Sequence, residues 1–137
     1  MADILIVEDD KDLNTAYNII LKNEGYSVKS AYNGKEALRI LASYTPDLIL
    51  LDLLMPIMGG LELLQHYNLK NKTKVRVLIF TNMENSPEVT KAYDLGASRC
   101  IIKSWTAPQN LSKVVQETLN QPPKRTSKKV KAKSQSS

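Results

Sequence analysis

The sequence predicts an α/β domain, a parallel sheet with helices on both faces. Short apolar runs recur along the chain: Ile4-Leu5-Ile6-Val7, Leu48-Ile49-Leu50-Leu51, Val75-Arg76-Val77-Leu78-Ile79-Phe80 and Cys100-Ile101-Ile102. Each has the length of a strand buried on both faces. Segments with helical spacing of apolar residues stand between them, and that alternation requires short right-handed crossovers that lay helices on the sheet. The runs also end on chemistry: Glu8-Asp9-Asp10, Asp52, Thr81 and Lys103. If the strands are parallel neighbours, these endings share one crevice, where open α/β sheets place their ligands.

The elements follow in order. A first strand runs from Asp3 to Val7; then Leu13, Ala16, Tyr17, Ile20 and Leu21 recur at helical spacing, and Gly25 stands as the C′ residue of that helix. Ser27 to Ala31 alternates as a short strand. Asn33-Gly34 signals a turn, and a helix expected over Lys35 to Tyr44 carries Ala37, Leu38 and Leu41 on one face. Pro46 stops it and Asp47 opens the third strand. Gly59-Gly60 breaks the chain after the loop beyond Asp52, and Leu61, Leu64, Tyr67 and Leu69 form the buried face of the next helix. The fourth strand is expected from about Lys74. Ser86-Pro87 reads as N-cap and first helical residue, and Leu95-Gly96 as the stop. The fifth strand is expected over Ser98 to Ile102. Pro108 opens a last helix with Leu111, Val114, Val115, Thr118 and Leu119 inward, ended by Pro122-Pro123.

At 137 residues the chain reads as one domain with a sizeable core, and 42% hydrophobic against 24% charged residues fits a soluble globular protein. No apolar run approaches the roughly 20 residues of a membrane helix, and no signal-like N-terminus is present, so a cytoplasmic location is expected. Cys100 has no partner for an internal disulfide, and with His66 as the single histidine it cannot close a zinc site. The net charge of +5 belongs to the end of the chain. Residues 122–137 carry Lys124, Arg125, Lys128, Lys129, Lys131 and Lys133 and no acid; taking these six from 19 basic residues leaves 13 against 14 acids. A folded domain over residues 1–121, near −1, is therefore expected to be followed by a basic, disordered tail over 122–137.

Clustered carboxylates repel unless a cation sits among them, and carboxylate oxygens select hard ions such as Mg²⁺. An Asp beside such an ion can attack phosphorus, while a lysine and a threonine hydroxyl stabilise the phosphoryl oxygens. The residue set therefore fits phosphoryl transfer to Asp52. Taken singly the signals are weak. Asp10 reads as the N-cap of the first helix, Thr81 alone would be an ordinary strand-end residue and Lys103 alone a solvated lysine, Met55 and Met58 read as gap fillers, and His66 as a surface residue.

At these residues the chain resembles the receiver domain of two-component response regulators. The resemblance rests on Ile4-Leu5-Ile6-Val7-Glu8-Asp9-Asp10 and on the segment Asp47 to Gly60 around Asp52-Leu53-Leu54-Met55-Pro56. It extends through Asn33-Gly34-Lys35-Glu36-Ala37-Leu38 and Ala92-Tyr93-Asp94-Leu95-Gly96-Ala97, covering residues 2–121 in order. It implies a flavodoxin-like five-stranded sheet, order 2-1-3-4-5, with Asp52 as phosphoacceptor. Mg²⁺ would be held by Asp9, Asp52 and the Leu54 backbone carbonyl, with Glu8 acting mainly through water. Thr81 and Lys103 would contact the phosphoryl group. The implied partners are a histidine kinase or phosphotransfer protein as donor, and a downstream protein at the face of the fourth helix, fifth strand and last helix. A phosphorylation-dependent homodimer is also allowed, whereas membrane and sequence-specific nucleic-acid binding are not implied.

Three positions depart from the family pattern. Cys100 stands where an aromatic switch residue is usual, so output is expected from shifts around Met83 and Tyr93. Ser104 stands where proline commonly follows the lysine, often after a cis bond, and Trp105 beyond it is a candidate exposed anchor. Gly59 stands where Asp is common, a turn variation. The 16-residue tail is too short for a helix-turn-helix module, so the sequence fits a single-domain regulator or a receiver cut from a longer chain. Rival readings are a constitutive binding module, a Mg²⁺-dependent aspartyl phosphatase and salt-sensitive nucleic-acid binding by the tail. The phosphatase lacks its second acid, because Leu54 stands two residues after Asp52.

Overall fold

Apolar residues on alternate sides of each strand divide the core in two. Leu5, Val7, Ile49, Leu51, Val77 and Ile79 face one way and belong to one buried cluster; Ile4, Ile6, Leu48, Leu50, Leu78 and Phe80 face the other. This follows from the two-residue period of a strand, and it is why the central strands read as continuous apolar runs. The computed structural model describes residues 1–72, 74–82 and 86–121. In it β1 (Asp3–Val7), β2 (Ser27–Ala31), β3 (Leu48–Leu51), β4 (Arg76–Thr81) and β5 (Arg99–Ile102) form one parallel sheet in the order β2-β1-β3-β4-β5.

The helices are α1 (Lys11–Asn23), α2 (Gly34–Leu41), α3 (Gly60–Tyr67), α4 (Pro87–Asp94) and α5 (Leu111–Leu119). Tyr17 and Leu21 of α1 and Leu111 and Val115 of α5 cover one face, where the Tyr17 and Phe80 rings meet at 5.5 Å. Residues of α2, α3 and α4, among them Ala37, Leu63 and Ala92, cover the other. The expected architecture is therefore present, five strands alternating with five helices. Among the described residues no helix is long and apolar enough to cross a membrane.

Several punctuation signals act as expected. Gly25 (φ 99°) and Gly96 (φ 114°) take the left-handed conformation just past α1 and α4. Ser86 caps α4, its hydroxyl accepting from the Val89 N–H at 3.3 Å. Boundaries differ where local geometry overrides spacing. α2 stops at Leu41 rather than Tyr44, tightening into a turn in which the Ser43 N–H reaches the Ile40 carbonyl at 3.2 Å. Tyr44 then packs on the core from outside the helix. α3 ends before Leu69 because Asn68 turns left-handed (φ 54°), and Leu63, absent from the expected stripe, is fully buried. β4 begins at Arg76 and β5 at Arg99, each later than expected. Pro108 opens a 3-10 turn, Pro108–Asn110, and α5 starts only at Leu111. The readings of Met83 and of the 122–137 tail, with its prolines, lie outside the described residues, as does the Trp105 side chain.

Candidate functional site

The register of the sheet assembles the acids. Val7 pairs with Leu51, so Glu8 and Asp52 leave adjacent strands together, and the Asp52 N–H donates to the Val7 carbonyl at 3.1 Å. Glu8, Asp9 and Asp52 each present an oxygen within 4.8 Å of the others, Glu8 and Asp52 being buried and Asp9 exposed. Lys103, the first residue past β5, places Nζ 2.6 Å from Glu8 Oε1 and 3.0 Å from Asp52 Oδ2. Thr81 ends β4 opposite Ile102 in the register and is fully buried, one strand over from Asp52 and from Lys103. The endings marked in the sequence thus line one stretch of the sheet's C-terminal edge.

Local sequence explains each placement. Asp10 is the N-cap of α1, its Oδ1 accepting from the Asp12 and Leu13 N–H groups at 3.0 and 3.1 Å. Glu8 Oε2 accepts the Asp10 N–H at 3.0 Å, which closes the acidic turn. Gly60 serves the other side. A Cβ there would lie 2.7 Å from the Asp52 carbonyl oxygen and 2.9 Å from Leu53 Cα, so glycine lets α3 begin against the backbone that carries Asp52.

The Leu54 N–H donates to Asp52 Oδ1 at 3.3 Å. Leu54 is 61% exposed and Ile57 75%, both large apolar residues in the loop that follows Asp52. Ile57 is also left-handed (φ 70°), where β-branched residues are rare. The methionines behave as expected: Met55 and Met58 pack half-buried against the core, and His66 is exposed.

Burial raises the Glu8 carboxyl above the ordinary range, and the contact with Lys103 only partly offsets that. For Lys103 burial works toward a lower pKa, but hydrogen bonds and charge attraction from Glu8 and Asp52 outweigh it and leave the ammonium favoured. Three carboxylates against one ammonium leave two uncompensated charges. A divalent cation with oxygen ligands matches that deficit and that donor set.

Three features escaped the sequence pattern. Asn14, on the buried side of α1, donates from Nδ2 to the carbonyls of Glu8 at 3.0 Å and Ala31 at 3.1 Å. The Ser104 N–H donates to Asn82 Oδ1 at 2.9 Å, joining the residues that directly follow Lys103 and Thr81. A proline at 104 would have no such donor, and no cis peptide bond occurs among the described residues. Cys100, paired with Ile79, is half-buried, and the Tyr93 hydroxyl of α4 contacts its backbone. The aromatic that touches this position belongs to α4, through its hydroxyl and the Cys100 backbone.

Buried acids opposed by a lysine, at the C-terminal edge of a 2-1-3-4-5 sheet, are the architecture of a signalling receiver module. The chain belongs to the response regulator receiver domain family, whose model matches residues 4–116. It is 33% identical to the response regulator ArlR of Staphylococcus saprophyticus over 124 residues, 90% of this chain and 56% of that protein. The chain spans about half the length of the curated relatives it matches. Among solved structures, a CheY-like receiver domain protein from Methanospirillum hungatei superposes with a TM-score of 0.80 at 28% identity, covering 88% of this chain and 94% of that one. TrrA of Thermotoga maritima, solved in complex with Mg²⁺-BeF, gives 0.73 at 28% identity over 86% of this chain and 99% of that one.

Proposed function

We propose that this chain is a phosphorylation-controlled switch in which Asp52 accepts a phosphoryl group from a phosphohistidine of a histidine kinase or phosphotransfer protein. The observation that carries this reading is the Asp52 carboxylate, held at a sheet edge 3.0 Å from Lys103 Nζ and inside a three-acid cluster. An Asp52 oxygen forms the new O–P bond as the donor's N–P bond breaks, its electron pair returning to the imidazole. Glu8, Asp9, Asp52 and the Leu54 carbonyl would hold Mg²⁺, which when bound offsets the charge between carboxylate and phosphoryl group. Lys103 stays with the phosphoryl oxygens, and the Thr81 hydroxyl donates to one of them. Water later hydrolyses the acyl phosphate, so the domain assists its own phosphorylation and dephosphorylation without being a conventional turnover enzyme. The complex of TrrA with Mg²⁺-BeF supports this assignment of the edge.

The donor approaches past the exposed Leu54, whose N–H donates to Asp52. The added charge, about −1.5 to −2 by analogy with phosphomonoesters, biases the face of α4, β5 and α5 toward a downstream protein or a second copy of the chain. Tyr93 and Cys100 lie on that face. Residues 1–121 act as the receiver in the cytoplasm, and 122–137 form a basic extension. Intact mass after incubation with a small acyl-phosphate donor tests the chemistry. One Mg²⁺-dependent phosphoryl adduct, absent from Asp52→Ala, is expected; equal adducts in both proteins would move the acceptor elsewhere.

A further inference from the structure

Asn14 is out of place by the rules that build α1. It shares the buried stripe with Tyr17 and Leu21, and at 1% exposure it occupies a position where an apolar residue would pack without cost. Asparagine is also a weak helix former, because its side chain competes for backbone groups. Its amide is spent on two main-chain oxygens outside its own helix, those of Glu8 and Ala31. Ala31 ends β2 and Glu8 directly follows β1; Val7 and Ala31 are the last pair of the β1–β2 ladder. The amide is turned so that both donors are used, which leaves Oδ1 buried with no partner among the described residues. An unsatisfied buried acceptor is destabilising. A side chain that only filled space would have no reason to carry it.

The Glu8 carbonyl belongs to the peptide that joins Glu8 to Asp9. Gripping it fixes the plane of that peptide, and with it the direction in which both acids leave the chain. Glu8 is additionally held by Lys103 and the Asp10 N–H, whereas Asp9 is exposed and its carboxylate accepts no hydrogen bond among the described residues. Its aim toward the other two acids therefore depends on the backbone beneath it. We infer that Asn14 is a positioning residue for the cation site, orienting the Glu8–Asp9 peptide so that the Asp9 carboxylate faces Asp52. This rests on the reading of the cluster as a Mg²⁺ site.

Residues that orient metal ligands from behind change metal affinity by about 10–100-fold when removed. Mg²⁺ affinity is measured calorimetrically on the full chain, beside Asn14→Leu, Asn14→Ala and the buried-core control Leu21→Ala. The dissociation constant is expected to rise about 10-fold in both Asn14 variants, and the adduct rate at saturating Mg²⁺ to stay within about twofold of the unaltered chain. Leu21→Ala should lower the melting temperature at least as much and leave the constant unmoved. Asn14 variants that bind Mg²⁺ as well as the unaltered chain, or a control that weakens binding equally, overturn the inference alone. No Mg²⁺ saturation in the unaltered chain overturns the cation reading and this inference with it. Should the variants not fold, ¹⁵N spectra of the unaltered chain decide. The Asn14 side-chain amide should shift with the same half-saturation as the Asp9 N–H, and an amide that stays still overturns the inference.

Discussion

The acid side of the sheet edge and its responding side are built differently. All four residues of β3, which leads into Asp52, are buried, whereas all four of β5, which leads into Lys103, are half-buried. The acidic turn is held by Asn14 inside the core and by the Asp10 cap, while Gly60 packs tightly against the backbone that carries Asp52. The loops beyond β4 and β5 are joined by an exposed hydrogen bond between Asn82 and Ser104. On the proposed function, the groups that keep their geometry sit where local opening is costly and the groups that respond sit where it is cheap.

The comparison breaks most severely at Lys103, which touches both sides. Lys103→Met leaves Glu8 and Asp52 buried without the ammonium that lies 2.6 and 3.0 Å from them. In the metal-free chain the expected loss in urea unfolding is about 3 kcal/mol. The rate of adduct formation should fall about 100-fold if, as proposed, this ammonium faces the phosphoryl oxygens. A stability loss below about 1 kcal/mol would mean that Glu8 takes up a proton instead, and that the two sides stand independently.

Gly60→Ala strikes the acid side alone. The new methyl would meet main-chain atoms at 2.7 and 2.9 Å, and backbone cannot swing aside as a flexible side chain can. A loss of about 2 kcal/mol is expected, with slower adduct formation because Asp52 moves with its peptide. Unchanged stability would show that the acid side is looser than its burial implies.

The sequence made the rigid side more legible than the responding one. The apolar runs of β1 and β3 end on Glu8 and Asp52 without ambiguity, and Ser27–Ala31 coincides with β2 because alternation needs no partner to be read. Boundaries failed where a single conformation decided them. The left-handed Asn68 ended α3 early, and a 3-10 turn over Pro108–Asn110, closed by the Asn110 N–H on the Ala107 carbonyl, precedes α5. Asn14 was invisible because apolar periodicity cannot register a polar residue buried for its hydrogen bonds. The bond between Asn82 and Ser104 joins residues 22 apart and exists only once β4 and β5 are paired. In both cases the missing information is tertiary.

Alkali sharpens the comparison by titrating groups across the fold. Lys103 holds its proton more tightly folded than unfolded, so its contribution is complete below the unfolded value of 10.5 and is lost as pH rises through the higher folded one. Tyr17 and Tyr44, each pushed up from 10.0 to about 12, chiefly by burial, act in the same direction. Urea midpoints should therefore hold to about pH 10 and decline above it, with Lys103→Met removing part of the decline and Tyr44→Phe another part. A midpoint that rises in that range would contradict the direction of all three shifts.

The smallest expected effect tests the responding side itself. The donor at Ser104 is main-chain, so Ser104→Ala should change nothing, whereas Ser104→Pro removes the N–H that reaches Asn82. Asn82→Ala removes the acceptor and Asn82→Asp keeps one. As both residues are exposed, the loss in global stability should be about 0.5 kcal/mol. Hydrogen exchange reads the bond more directly. The Ser104 N–H should exchange faster in Asn82→Ala and stay protected in Asn82→Asp and Ser104→Ala. The loops after Thr81 and Lys103 then move as one unit, and the lifetime of the Asp52 adduct should change in Asn82→Ala and Ser104→Pro alike while Ser104→Ala matches the unaltered chain. Different lifetimes in the two bond-breaking variants would show that the loops respond separately, and that the softness of this side lies in β5 rather than in the bond between its loops.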